Sequence, residues 1–317
     1  MIYILLLIIL LVAELVYFKL ADHFNIIDKP NERSSHSQIT LRGGGVIFYI
    51  ALFFYFIFEG FQYPWFFAGL TLISIISFAD DIKPRSSKLR LLIHFISMLL
   101  MFYQWNLFSL PWYFSMLALI FCTGILNAYN FMDGINGITG GYSLVIAGAF
   151  WYLNTYQISF IDNQLIYILI LSILVFNFFN FRKKARCFAG DVGSISIAFI
   201  LIYILGKLVI ITSDFSYLIL FVVYGVDSIL TIIHRLFLRE NIFEPHRKHL
   251  FQLMANELKL PHLLVTCIYM LLQALIIIGF LIVPSKYLYL TVVILLLSTL
   301  YVSIKRRYYH LYKNVIK

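Results

Sequence analysis

The sequence predicts an all-α polytopic integral membrane protein with about eleven transmembrane helices, its N-terminus outside and its C-terminus cytoplasmic. Three observations carry this. First, 62% of the residues are hydrophobic and 12% charged, where a soluble domain has about a quarter charged. Second, apolar stretches near the ~20-residue spanning length recur at 1–18, 44–59, 64–79, 91–105, 111–127, 140–156, 164–180, 194–210, 216–233, 262–281 and 287–304. Third, of the 24 Lys and Arg only Lys207 and Lys286 fall outside alternate loops, so the basic loops are read as cytoplasmic.

The first span lacks a charged leading segment and an Ala-x-Ala cleavage site, and Glu14 interrupts it. It is therefore read as a retained helix whose intramembrane carboxylate faces other helices. The outer turns, such as Glu59 to Pro64 and Pro284 to Lys286, are too short to form a site. The inner loops are longer and hold the unusual polar residues. The spans leave no room for a separate soluble domain, so 1–317 is read as one domain. The cations flank apolar spans, which points to membrane lipids and anionic substrates as partners and not to nucleic acid. Cys122, Cys187 and Cys267 have no paired spacing and are read as structural thiols.

Four inner-loop motifs carry chemistry. FADDIKPRSSKLR places Asp80 and Asp81 at the end of the third span, where adjacent carboxylates require cations or a metal. A charged helix end neutralised by Lys83, Arg85, Lys88 and Arg90 explains this motif equally well. NAYNFMDGINGITGG spaces Asn127, Asn130 and Asp133 three residues apart, near one face of a helix end. An acid and carboxamides beside open backbone suit a hard cation or a nucleotide; the competing reading is a Gly-rich interhelical turn. In FAGDVGS, Asp191 precedes an apolar span and either caps the helix or holds a metal where phosphates also bind. EPHRKHLFQ gathers His246, Arg247, Lys248 and His249 into a cationic cluster apt for pyrophosphate, or into a solvated basic loop. A further element, SSHSQITLRGGG, offers His36, Arg42 and three glycines that let an anion approach the backbone. Asp227, inside the ninth span, is expected to pair with Arg235 or His234.

In this order, the motifs resemble the polyprenyl-phosphate N-acetylhexosamine-1-phosphate transferases, which include phospho-MurNAc-pentapeptide translocase and the enzymes that start O-antigen and enterobacterial common antigen. The resemblance runs from about residue 28 to residue 252. Asp80 and Asp81 match the family's paired aspartates, Asn127, Asn130 and Asp133 its Asn-x-x-Asn-x-x-Asp run, and Asp191 the metal-binding Asp of its Gly-Asp-x-Gly-Ser motif. His246 and His249 match part of its histidine-rich loop. Asn136 departs from a second Asp common in the family, and Phe251 or Gln252 from a last His.

The resemblance implies transfer of an N-acetylhexosamine 1-phosphate from a UDP-sugar to undecaprenyl phosphate, with release of UMP. It implies Mg²⁺, with Mn²⁺ as the alternative, held by Asp191 and Asn130. It implies that Asp80, supported by Asp81, deprotonates or orients the lipid phosphate, that Asp133 binds metal or nucleotide, and that His246, Arg247 and His249 clamp the diphosphate. Arg42, Asn127 and Asn136 complete the substrate contacts. The site is expected to face the cytoplasm of a bacterial inner membrane; a homodimer is left open. A lipid-linked sugar flippase or secondary transporter is the rival class, but it should place ionisable groups near the midplane, where only Glu14 and Asp227 qualify.

Overall fold

Each apolar stretch forms a helix in the structure, a computed structural model that describes residues 2–30, 38–241 and 246–308. His36, Glu244 and the terminal Lys313 and Lys317 lie outside the described residues. The long helices are α1 (Ile2–His23), α2 (Val46–Phe58), α3 (Pro64–Ile82), α4 (Ser87–Gln104), α5 (Trp112–Met132) and α6 (Ile138–Tyr156). They continue with α7 (Asn163–Asn180), α8 (Gly190–Thr212), α9 (Val222–Phe237, entered through a 3-10 turn from Phe215), α11 (His262–Ile282) and α12 (Lys286–Arg307). Between α9 and α11 a short helix, α10 (Leu250–Gln252), runs into a single π turn.

Eight segments among the described residues are long and apolar enough to cross a membrane. Three of the stretches expected to span fall outside that group, for readable reasons. α2 has only 13 residues. α4 carries Lys88, Arg90 and His94 in its first half. α6 opens on Thr139, Gly140 and Gly141 and holds Asn154.

α8 forms the centre. It is apolar on every face and buried almost continuously from Val192 to Leu205, as expected of a helix with no polar side. It packs against α3, α5 and α2, while α6 packs between α7 and α11. Close approach at its start depends on glycine. A Cβ on Gly193 would sit 2.6 Å from the Gly45 Cα, so the starts of α2 and α8 cross in backbone contact.

A small backbone platform fixes this crossing. Two-residue strands β1 (Ile27–Asp28) and β2 (Thr40–Leu41) pair antiparallel, with Ile27 opposite Leu41. Leu41 also bridges Cys187 in parallel, and Phe188 N donates to Leu41 O at 2.8 Å. Gly44 N and Gly45 N then donate to Phe188 O and Ala189 O at 2.9 and 3.1 Å. The start of α8 is thereby tied to the loop that carries Arg42. Glu14 of α1 is fully buried beneath this platform, its Oε1 3.8 Å from the Cys187 thiol, so it faces protein as expected. Burial pushes the Cys187 thiol well up, which keeps it an inert structural group.

Candidate active site

Pro84 stops α3, because proline cannot continue the helical ladder, and Ser86 restarts the chain by accepting from Leu89 N at 3.3 Å. The resulting α3–α4 hairpin turns the first turn of α4 back onto the end of α3. Arg90 Nη1 donates to Asp80 Oδ2 at 2.6 Å, and Arg85 N donates to Asp80 Oδ1 at 2.6 Å.

Asp81 is held from the other side. Its Oδ1 accepts from Arg42 Nε at 2.6 Å and from Asp191 N at 2.9 Å, and its Oδ2 accepts from Val192 N at 2.9 Å. The N-cap of α8 is Ala189, which has no side chain able to cap. Asp81 supplies the missing acceptors from another helix and puts a negative charge on the positive end of α8. Gly190 makes room for it: its φ is +70°, and a Cβ there would lie 2.5 Å from Asp81 Oδ2.

This answers the question left open for Asp191. The α8 start is capped by Asp81, and Asp191 sits in the first turn with its side chain directed elsewhere. Asp191 Oδ1 is 3.4 Å from Arg42 Nη2, and Oδ2 is 3.7 Å from Arg90 Nη1. These are the longest contacts in the cluster, and its side chain is the most exposed of the three carboxylates at 20%. Asp191 is therefore the carboxylate most open to a ligand. Burial works against the Arg42 charge, but Asp81 and Asp191 more than offset it and hold the guanidinium above its ordinary range.

The end of α5 reaches this cluster. Ser194 Oγ, one turn into α8, donates to Asn130 Oδ1 at 3.1 Å. Asp133 is the C-cap of α5 and accepts from Thr139 Oγ1 at 2.6 Å. Burial pushes its carboxyl up to about 6, the Thr139 hydrogen bond pulls it down, and the nearby Asp81 charge raises it further. Asn127 is exposed on α5 and is not brought into the cluster by any hydrogen bond among the described residues.

Asn136 requires a correction. Its Nδ2 donates to Arg182 O at 2.8 Å and Lys183 O at 3.2 Å, and it is 5% exposed. Both amide donors are engaged by the loop before α8, so Asn136 shapes that loop and does not offer them to a substrate. An Asp there could not make these bonds, which gives the family departure a physical reason.

The histidine loop is also arranged differently from the expected cationic cluster. His249 is 2% exposed, with Nδ1 3.3 Å from Asp227 Oδ1. The expected partners of Asp227, Arg235 and His234, are replaced by His249, Tyr269 Oη at 2.7 Å, Thr231 Oγ1 at 3.2 Å and Leu250 N at 3.0 Å. Arg235 turns to Glu240 at 3.2 Å. The sequence argument looked only along α9, whereas the loop folds back onto it. His246 is half-buried, and burial together with the positive charges around it, His249 first, pushes its imidazole down to about 3. It is neutral at pH 7, so it adds no positive charge to the loop. Phe131, at the end of α5, lies against both histidine rings, with centroids 6.2 and 6.0 Å away. The last turn of α5 therefore joins the carboxylate cluster to the histidine loop.

Two residues of the site were read from sequence only as counter-charge or not at all: Arg90, which sits on Asp80, and Ser194, which links α8 to Asn130. The signal for Arg90 was its place one turn into a helix restarted by Pro84 and Ser86.

No group of three or more His, Cys, Asp or Glu able to hold a metal occurs among the described residues. A small hard cation is bound through one or two carboxylates together with substrate phosphates and water. Asp191, loosely held, and Asn130, linked to the same turn of α8, are oxygen donors of the right kind.

The geometry defines a membrane-embedded, all-helical protein with a carboxylate–arginine cluster at the ends of several helices. The pattern of glycosyl transferase family 4 matches residues 63–209. It is 26% identical over 259 residues to a probable undecaprenyl-phosphate N-acetylglucosaminyl 1-phosphate transferase of Bacillus subtilis, covering 73% of this chain and 70% of that protein. It is 29% identical over 195 residues to a phospho-N-acetylmuramoyl-pentapeptide-transferase of Petrotoga mobilis, covering 53% and 60%. It is 27% identical over 209 residues to an undecaprenyl-phosphate alpha-N-acetylglucosaminyl 1-phosphate transferase of Yersinia pestis, covering 59% and 56%. The chain thus spans less than two thirds of the length of the latter two.

Proposed function

We propose that this protein transfers an N-acetylhexosamine 1-phosphate from a UDP-sugar to undecaprenyl phosphate and releases UMP, on the cytoplasmic face of a bacterial inner membrane. The observation that carries this reading is the cluster of Asp80, Asp81 and Asp191 around Arg42 and Arg90. Three carboxylates against two guanidiniums leave no net positive charge, so the cluster by itself does not attract a diphosphate. Asp191 and Asn130 would hold a divalent cation, Mg²⁺ or Mn²⁺, which would supply positive charge against the phosphoryl oxygens.

The residues of the chain do the rest by position and charge, as phosphoryl transfer requires. A lipid phosphate oxygen attacks the sugar-linked phosphorus, the bridging P–O bond breaks, and UMP leaves with the bridging oxygen. Arg42 and Arg90 are flexible cations already at the carboxylates, able to exchange those partners for phosphate oxygens. As Arg90 moves, Asp80 is freed to accept a proton from a monoprotonated lipid phosphate. Asp81, fully hydrogen-bonded, keeps α8 and Asp191 in place. Arg247 brings a cation to the diphosphate from the histidine loop.

The test is a lipid-product assay with purified protein, undecaprenyl phosphate and a panel of UDP-N-acetylhexosamines. One donor should yield a lipid-linked phosphosugar and UMP in equal amounts. Chelation should abolish the product, and Asp191→Asn should lower the rate by roughly 10²-fold or more, the loss of a metal ligand's transition-state stabilisation. A folded Asn variant with normal turnover would remove Asp191 from the metal role.

A further inference from the structure

A second cavity, of about 460 Å³, lies between α9 and α12, outside the carboxylate cluster. Its wall is apolar, from Leu230, Ile233 and Phe237 of α9, and its rim carries the exposed Arg306 of α12, with Lys305 buried behind it. No carboxylate among the described residues lines it. Glu240, whose charge reaches His234 and Lys305, is itself held by Arg235 and Lys248. The cavity faces away from the core: Phe237 is 83% exposed, and α12 is the least buried of the spanning helices.

We propose that this cavity binds an anionic glycerophospholipid, with an acyl chain along the α9 wall and its phosphate at the Arg306 rim. Charge complementarity and position select this occupant. A basic pocket between two spanning helices at the basic end of the molecule meets the headgroup layer, where anionic lipid is concentrated. An apolar wall below the cations excludes a purely aqueous ligand as the best fit.

The site is connected to the histidine loop. Lys305 Nζ donates to the Lys248 carbonyl. Tyr301, which also lines the cavity, has its hydroxyl 2.6 Å from Thr231 Oγ1, and Thr231 donates to the Asp227 carboxylate that holds His249. A lipid bridging α9 and α12 therefore steadies the residues that place His246 to His249. The leaflet rests on the proposed orientation; the binding does not.

The experiment compares wild type, Leu230→Trp and Arg306→Gln in nanodiscs of phosphatidylcholine with and without phosphatidylglycerol. Retained lipid is read by native mass spectrometry and stability by thermal unfolding. Wild type should retain phosphatidylglycerol in preference to phosphatidylcholine and unfold at a higher temperature when it is present. Leu230→Trp fills the cavity and should abolish both effects. Arg306→Gln, an exposed change, should weaken the preference about fivefold, as expected for one interfacial cation, and leave stability in pure phosphatidylcholine unchanged. If Leu230→Trp fails to fold, Arg306→Gln alone decides. Equal retention of the two lipids by wild type, or an undiminished preference in either variant, overturns the proposal. So does an equal thermal gain from inorganic phosphate alone, which would make the ligand a free anion.

Discussion

Asp80, Asp81 and Asp191 lie within reach of the same two arginines, yet their surroundings assign them different work. Asp81 has both oxygens filled by Arg42 and two backbone N–H groups. Three hydrogen bonds, two of them from the α8 backbone, fix it in place, so its contribution is to hold α8. Asp80 accepts one charged and one backbone hydrogen bond and can be released by movement of a single side chain, Arg90. This favours Asp80 as a base toward the lipid phosphate over Asp80 as a nucleophile toward the UDP-sugar. Exchange of labelled UMP into the UDP-sugar, with all polyprenyl phosphate stripped away, separates the two mechanisms. Direct displacement gives no exchange until lipid is restored; lipid-free exchange abolished by Asp80→Asn would instead show a covalent phosphosugar intermediate. Asp133 gives a pH signature. Its folded-state carboxyl is raised from 3.8 to about 6, so the stability linked to its neutral form is present below 3.8 and lost as pH rises through about 6. Asp133→Asn stays neutral throughout. Its melting temperature relative to wild type should therefore rise between those two pH values and level off above them; a flat difference would show that folding does not raise the Asp133 carboxyl.

At the scale of elements, the sequence showed where helices and polar loops fall, because apolar length and charged flanks are local properties. It did not show which loop meets which helix. Asp191 reads equally as a cap or a ligand, and only the approach of Asp81 from α3 shows that the cap is Asp81. Asp227 was assigned partners on its own helix, because the return of the 246–249 loop onto α9 is a long-range event with no periodic signature. The glycines were visible in FAGDVGS and LRGGG, but their shared purpose, the crossing of α2 over α8, was not. That crossing is testable. A Cβ on Gly193 would lie 2.6 Å from the Gly45 Cα, a backbone atom with nowhere to move, whereas a Cβ on Gly124 meets nothing within 4 Å. Gly193→Ala should lose about 1–3 kcal/mol, the usual range for overpacking, together with most activity, because Asp191 is two residues away. Gly124→Ala should be neutral or slightly stabilising, since alanine is the better helix former. Equal thermal stability of the two variants would show that the α2–α8 contact is looser than drawn.

Over the whole molecule, the distribution of charge and the placement of the site make one statement about orientation. Asp80 and Asp81 close α3, Asp133 closes α5, Asp191 opens α8, and His246 follows α9. Alternating helix direction brings these ends to one side, the side with nearly all the Lys and Arg. A nucleotide donor confined to the cytosol reaches the carboxylates only if that side is cytoplasmic. Single cysteines in a background lacking Cys267, the exposed native thiol, test this directly. Exposed positions Gln157 and Pro284, in turns at the opposite end, should label in intact cells with a membrane-impermeant maleimide. Exposed positions Lys88, Lys184 and Arg239 should label only after the cells are opened. The two sets differ in sign, so a failed reagent cannot imitate the expected pattern. Labelling of Arg239→Cys from outside would place the histidine loop away from its donor, and the transferase assignment would fail with it, however well the carboxylate cluster suits a diphosphate.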